Sequence, residues 1–175
     1  MVEKYNVLFL CRANSARSIM AEALLRELGG GRFEAHSAGI EPAVDVHPMT
    51  LEQLRPTIEP LGKLRPKSWD QFVGPSAPEM DVIIALCDEA GEAHAPAFSG
   101  TPTFCQWNFA DPLAAAAGAE LEQKRVFEQV FRQILRRVSL FVALPLHSMR
   151  PSEQRAAVDA MDDHSPSVFS LDGNS

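Results

Sequence analysis

The run Cys11-Arg12-Ala13-Asn14-Ser15-Ala16-Arg17-Ser18 holds a thiol and a guanidinium separated by five residues, most of them small. A loop of that length, entered from a strand and left through a helix, wraps its backbone N–H groups around one tetrahedral oxyanion. Residues 12–17 (Arg12, Ala13, Asn14, Ser15, Ala16 and Arg17) are therefore a candidate oxyanion-binding loop. The helix N-terminus adds partial positive charge, and Arg17 can clamp two oxygens bidentately. The same positive groups favour a thiolate over a thiol, which would make Cys11 a nucleophile, and the Ser18 hydroxyl can donate a hydrogen bond to its sulfur. An ordinary strand-to-helix turn is the competing reading. The bare Cys-to-Arg spacing does not exclude it; the flanking strand and helix signals carry the weight.

Those signals come from hydrophobic periodicity. Residues 5–10, Tyr-Asn-Val-Leu-Phe-Leu, read as a buried strand that ends at Cys11. From Ser18 onward Met20, Ala21, Leu24, Leu25 and Leu28 recur at helical spacing, and Gly29-Gly30-Gly31 stops the helix. Phe33 to Ser37 predicts a second strand, Met49 to Leu54 a short helix, Val82 to Leu86 a third strand, and Thr101 to Phe109 a fourth. A long amphipathic helix is expected over 119–142, with Phe127, Val130, Phe131, Ile134, Leu135, Val138 and Phe141 as its core stripe. A last helix runs from Ser152 to about Met161. Strands alternating with helices imply an α/β fold with a parallel sheet, whose sites lie beyond the carboxyl ends of the strands. Cys11 and Cys87 both stand at such ends.

Length and composition bound what those elements can build. The 175 residues suit one domain, expected over 1–162 with a flexible tail over 163–175, and 46% hydrophobic with 22% charged residues is ordinary for a globular chain. No apolar run reaches the roughly 18 residues of a membrane helix, so neither an anchor nor a signal peptide is expected. A formal charge of -7 argues against a nucleic-acid surface, because phosphate backbones need a basic face. Three cysteines, 11, 87 and 105, are an odd number without an export signal, which favours reduced thiols and a cytoplasmic location over a disulfide scaffold.

The segment from Val7 to Leu25 resembles the opening of arsenate reductases built on the low-molecular-weight tyrosine phosphatase fold. Further matches follow at Ser37-Ala38-Gly39, Val46-His47-Pro48, Lys67 to Phe72, Asp81 to Asp88, Trp107 with Asp111-Pro112, and Phe141 to Leu146. The resemblance spans about residues 5 to 162 and implies one four-stranded parallel sheet with helices on both faces. It also implies roles: Cys11 attacks the oxyanion centre, Arg17 clamps it, Ser18 stabilises the thiolate, and Asp111 protonates the leaving oxygen. An acid held by a rigid Pro-containing loop suits so poor a leaving group as hydroxide.

Reductase and phosphatase share those parts, and Cys87 separates them. A reductase needs a second thiol to attack the sulfur of a thiol-arsenate adduct, whereas a phosphatase needs only water. Leu113-Ala114-Ala115-Ala116 after the Asp-Pro pair offers no aromatic platform for a tyrosine ring, which favours a small inorganic substrate. Arsenate reduction through Cys11 and Cys87 is thus expected first, phosphotyrosine hydrolysis second, and a noncatalytic oxyanion-binding module third. Relatives that use thioredoxin carry a third cysteine shortly before a proline; here no cysteine stands between Cys87 and Pro96, so the external thiol reductant stays open among thioredoxin, glutaredoxin with glutathione, and another small thiol. Cys105 reads as strand interior. The resemblance further implies a possible potassium site at Asn14, Glu22, Ser37, Ser68 and Asp70 and no tightly bound organic cofactor. Cys87, His94 and Cys105 lack the close Cys pair of structural zinc sites.

Overall fold

A computed structural model describes residues 4–56, 58, 61–91, 96–113 and 120–161. The expected tail, Ala114 to Ala116 and His94 lie outside the described residues. Four strands, β1 (Tyr5–Cys11), β2 (Phe33–Gly39), β3 (Val82–Ala85) and β4 (Thr103–Gln106), form one parallel sheet in the order β2-β1-β3-β4. Val7 to Cys11 are buried without alternation, as befits a central parallel strand covered on both faces. Val82, Ile83 and Ile84 are stiff, β-branched side chains that suit the other inner strand, and all are fully buried.

Helix α1 (Arg17–Gly29) packs on β1 and β2 and on the long helix α3 (Glu120–Val142). Gly30 then takes φ 54°, a left-handed turn that ends α1 at little cost. Helix α2 (Pro48–Leu54) opens on His47, whose Nδ1 accepts the Met49 N–H at 3.1 Å, and Pro48 stands where a helix needs no donor. Phe127, Val130, Ile134, Val138 and Phe141 of α3 are buried as the stripe predicts, Phe131 and Leu135 are only half-buried at its margin, and Phe141 packs between Phe33 and Trp107. Each such side chain contributes about 1.5–3 kcal/mol through its removal from water. Helix α4 (Pro151–Ala160) covers β4, where the Trp107 Nε1–H donates to the Val158 carbonyl at 2.8 Å.

The expected strands and helices all occur, with shifted ends. Helix α1 starts at Arg17, one residue before the expected Ser18, and β2 runs two residues past Ser37 because Gly39 still pairs with Cys11. The third and fourth strands are shorter than expected. Beyond Ala85 the chain bends into a 3-10 turn over Asp88–Ala90, although the Leu86 N–H still donates to the Leu10 carbonyl at 2.7 Å. No helix among the described residues is long and apolar enough to cross a membrane.

Candidate active site

The loop between β1 and α1 owes its shape to the segment that follows β2. The Ile40, Glu41, Ala43 and His47 N–H groups donate to the carbonyls of Cys11, Arg12, Ala13 and Ser15 at 3.1, 2.8, 2.9 and 3.0 Å. The Thr50 hydroxyl adds a second bond to the Ser15 carbonyl at 2.9 Å. In a trans peptide the N–H points opposite the carbonyl, so these bonds turn the next residues' N–H groups toward the inside of the loop. The Asn14 N–H shows the result: it points at the Cys11 Sγ, 3.3 Å away. Gly39 makes the close approach possible, since a Cβ there would lie 2.7 Å from the Arg12 carbonyl oxygen. Asn14 takes φ 50°, a left-handed conformation that asparagine tolerates better than most residues.

Beneath the loop runs a buried chain of directed hydrogen bonds. Asn14 Nδ2 donates one hydrogen to Ser18 Oγ at 2.7 Å and the other to Ser37 Oγ at 2.9 Å. Ser37 in turn donates to Glu22 Oε1 at 2.6 Å, because a carboxylate can only accept. Ser18 Oγ, accepting from Asn14, sits 2.8 Å from Cys11 Sγ and is placed to donate its hydrogen to a thiolate there. The Asn14 amide is held in this sense by the Lys67 N–H, which donates to its Oδ1 at 2.8 Å. Cys11, Asn14, Ser18, Glu22 and Ser37 are each nearly or fully buried.

Arg17, 6% exposed, extends along the mouth of the loop. Its Nη1 donates to the Phe109 carbonyl at 3.1 Å and its Nη2 lies 3.6 Å from Asp111 Oδ2. Asp111 Oδ1 accepts the Leu113 N–H at 3.0 Å, and buried Pro112 stiffens the turn between them. The Phe109 ring packs under the Arg137 guanidinium, 5.0 Å from its centroid. Arg12 is exposed, with Glu41 and Glu89 at 3.8 and 4.0 Å; pairs this open to solvent contribute little.

Cys87, two residues past β3, stands beside the loop. Leu10 and Ala85 are in register, and Leu86 bonds to Leu10. The positive charge of Arg17 acts on the Cys87 thiol, but burial dominates and pushes its pKa up. Cys105 lies within β4, in register with Ile84 and 2% exposed. All three cysteines are reduced.

The residues named for potassium separate into two groups. Asn14, Glu22 and Ser37 meet in the buried network. Ser68 forms an isolated parallel bridge with Gly39 but spends its hydroxyl capping a 3-10 turn, accepting the Asp70 N–H at 3.4 Å, and Asp70 is exposed. The oxygens of the buried group already have partners. Glu22 Oε2 accepts from Arg26 at 2.8 Å, Oε1 accepts from Ser37 and faces Lys67 Nζ at 3.7 Å, and Asn14 Oδ1 holds the Lys67 N–H. Asn14 presents donors, not acceptors, to the rest of the network. A hard cation needs several free oxygens, and a third positive charge beside one carboxylate would be repelled by two. This arrangement does not fit a potassium ion. Among the described residues no three His, Cys, Asp or Glu side chains converge as a metal site.

Sequence reasoning missed Lys67, Arg26 and the Phe109 carbonyl as parts of the site. Arg26 carried a usable signal, since Glu22 and Arg26 are an i,i+4 pair. Lys67 and Phe109 reach the loop only through tertiary structure.

Comparison with known proteins agrees with this geometry. The profile of the family "Low molecular weight phosphotyrosine protein phosphatase" matches residues 6–145. An arsenate reductase of Halalkalibacterium halodurans is 31% identical over 140 residues, covering 80% of this chain and 96% of its own. A glutaredoxin arsenate reductase of Synechocystis sp. is 32% identical over 138 residues, covering 78% and 95%. The solved structure of an arsenate reductase in its phosphate-binding state superposes with a TM-score of 0.63 at 29% identity, covering 79% of this chain and 97% of that one. Matched by the family profile over four-fifths of its length and by relatives above 30% identity over a similar span, the chain belongs to the low molecular weight phosphotyrosine protein phosphatase family.

Proposed function

We propose that this protein reduces arsenate to arsenite in the cytoplasm, with Cys11 as nucleophile and Cys87 as the second redox thiol. One observation carries the reading: two reduced thiols end neighbouring parallel strands, and the register places Cys87 beside the loop that encloses Cys11. The N–H groups of the loop over residues 12–17 and the Arg17 guanidinium bind the oxyanion, and the Ser18 hydroxyl steadies the Cys11 thiolate. Cys11 Sγ then attacks arsenic, an As–O bond breaks, and Asp111 protonates the departing oxygen so that water leaves. Next the Cys87 thiolate attacks Cys11 Sγ. The S–As bond breaks with its electron pair passing to arsenic, which leaves as arsenite while a Cys11–Cys87 disulfide forms.

An external thiol, of thioredoxin or of glutaredoxin with glutathione, reduces that disulfide and closes the cycle. Burial keeps Cys87 protonated at rest, so its attack should accelerate as the pH rises above neutral. Cys105, fixed inside the sheet, takes no part.

Single-turnover peptide mapping tests this. Arsenate without reductant should yield one disulfide, Cys11 to Cys87. Cys87→Ser should release no arsenite yet retain slow hydrolysis of a phosphotyrosine analogue, and Cys105→Ser should change little. Arsenite release by Cys87→Ser at the wild-type rate would sink the assignment. A Cys87–Cys105 disulfide would instead give Cys105 a relay role.

A further inference from the structure

Glu22 is a carboxylate 2% exposed, seated under the loop and tied to Cys11 through Ser37, Asn14 and Ser18. A charge so placed demands a cation, because an unpaired buried carboxylate is costly and would neutralise itself by taking a proton. Arg26 supplies one from the next turn of α1, but half of its side chain is exposed. Lys67 is more enclosed, with 20% of its side chain exposed; its Nζ donates to the Arg65 carbonyl at 2.8 Å and lies 3.7 Å from Glu22 Oε1. Its backbone is pinned on both sides of the residue. The Lys67 N–H holds Asn14 Oδ1 at 2.8 Å, and its carbonyl accepts the Gly39 N–H at 2.8 Å. One of the two cations beside Glu22 is thus also the residue that orients the Asn14 amide and secures the glycine over which the loop passes.

We propose that Lys67 is a positioning residue whose ammonium serves as the built-in cation of the buried Asn14-Ser37-Glu22 network, so that the oxyanion loop keeps its order without any alkali-metal ion. The ammonium lies beside the carboxylate that ends the chain: Glu22 accepts the Ser37 hydrogen, Ser37 accepts from Asn14, and Asn14 directs its other hydrogen to Ser18. Loss of the ammonium leaves a cation-sized deficit beside Glu22, and a potassium ion with its oxygen preference becomes a suitable substitute. Lys67 touches neither the thiol nor the oxyanion; it acts through Asn14. The inference rests on the reading of residues 12–17 as an oxyanion cradle, but not on arsenate being the substrate.

The test compares wild type, Lys67→Met and Lys67→Arg at constant ionic strength in potassium chloride and in tetramethylammonium chloride. Melting temperature and sulfate affinity by calorimetry are the readouts. The wild type and Lys67→Arg should show the same values in both salts. Lys67→Met should melt lower and bind sulfate roughly tenfold more weakly in tetramethylammonium, and potassium should recover most of both losses. A melting temperature of the wild type that rises specifically with potassium would overturn the proposal, as would Lys67→Met that matches wild type or that potassium fails to rescue. Absence of sulfate binding by the wild type would instead condemn the cradle reading, while the melting comparison still decides the role of Lys67.

Discussion

Asp111 faces two partners at once, the Leu113 N–H on one carboxylate oxygen and the Arg17 guanidinium, 3.6 Å away, on the other. In the resting protein it therefore competes with any anion that Arg17 would clamp. Replacing it by Asn keeps the Leu113 bond and removes the competing charge. Asp111→Asn should bind sulfate as tightly as the wild type or more tightly, while arsenate turnover falls by about 10²–10⁴-fold through loss of the acid. Calorimetry and a single-turnover arsenite assay check the two halves. A turnover equal to wild type would remove Asp111 from the chemistry, and a large loss of sulfate affinity would mean that it shapes the site.

At the scale of elements, the loop is held from outside by the chain between β2 and α2, which donates to four of its carbonyls. Gly39 is the hinge of that arrangement: it pairs with Cys11 in the sheet, and the Arg12 carbonyl lies where its Cβ would be. Because the obstructing atom is backbone, relief requires the loop itself to move. Gly39→Ala should cost roughly 1–3 kcal/mol of stability, as overpacking does, and should weaken sulfate binding more than its stability loss suggests. Urea unfolding and calorimetry would measure both. A variant with wild-type sulfate affinity would show that the loop can shift without losing its N–H array.

Across the whole molecule, two half-buried histidines tie stability to pH. His36 lies against Phe72 and His47 stacks on Phe127 at 4.8 Å, and burial holds both below their usual pKa of 6.5. For His36 the nearby Glu22 and Glu34 oppose burial without overcoming it. His47 also needs its neutral form, since Nδ1 accepts the Met49 N–H that opens α2. As the pH falls below 6.5 the unfolded chain takes up protons at these positions before the native protein does, so stability declines in that window. The unfolding free energy should fall between pH 7 and about pH 5.5, and the pair of substitutions His36→Asn and His47→Asn should flatten the profile. An unchanged slope in the double variant would exclude these groups as its source.

The strand, the loop from Cys11 to Ser18 and the first turn of α1 were legible from sequence because they are contiguous: five residues between a buried strand and a helix leave few paths for the backbone. The stripe of α3 was legible for a similar reason, since one face is apolar and the other charged. Helix α1 was harder to read, because ten of its thirteen residues are buried, including Arg17, Ser18 and Glu22, and hydrophobic periodicity carries no information about a buried carboxylate. The meeting of Glu22 with Lys67 and of Arg17 with the Phe109 carbonyl was decided by tertiary structure alone, whereas both cysteines could be read as strand ends and only the adjacency of their strands was left to the sheet order. Those partners are 45 to 92 positions apart or lie on separate strands, and only the order β2-β1-β3-β4 and its register bring them together. Local sequence sets which chemistry a segment can offer; which charge neutralises it, and which second thiol stands near, depends on the packing of segments that the local pattern does not relate.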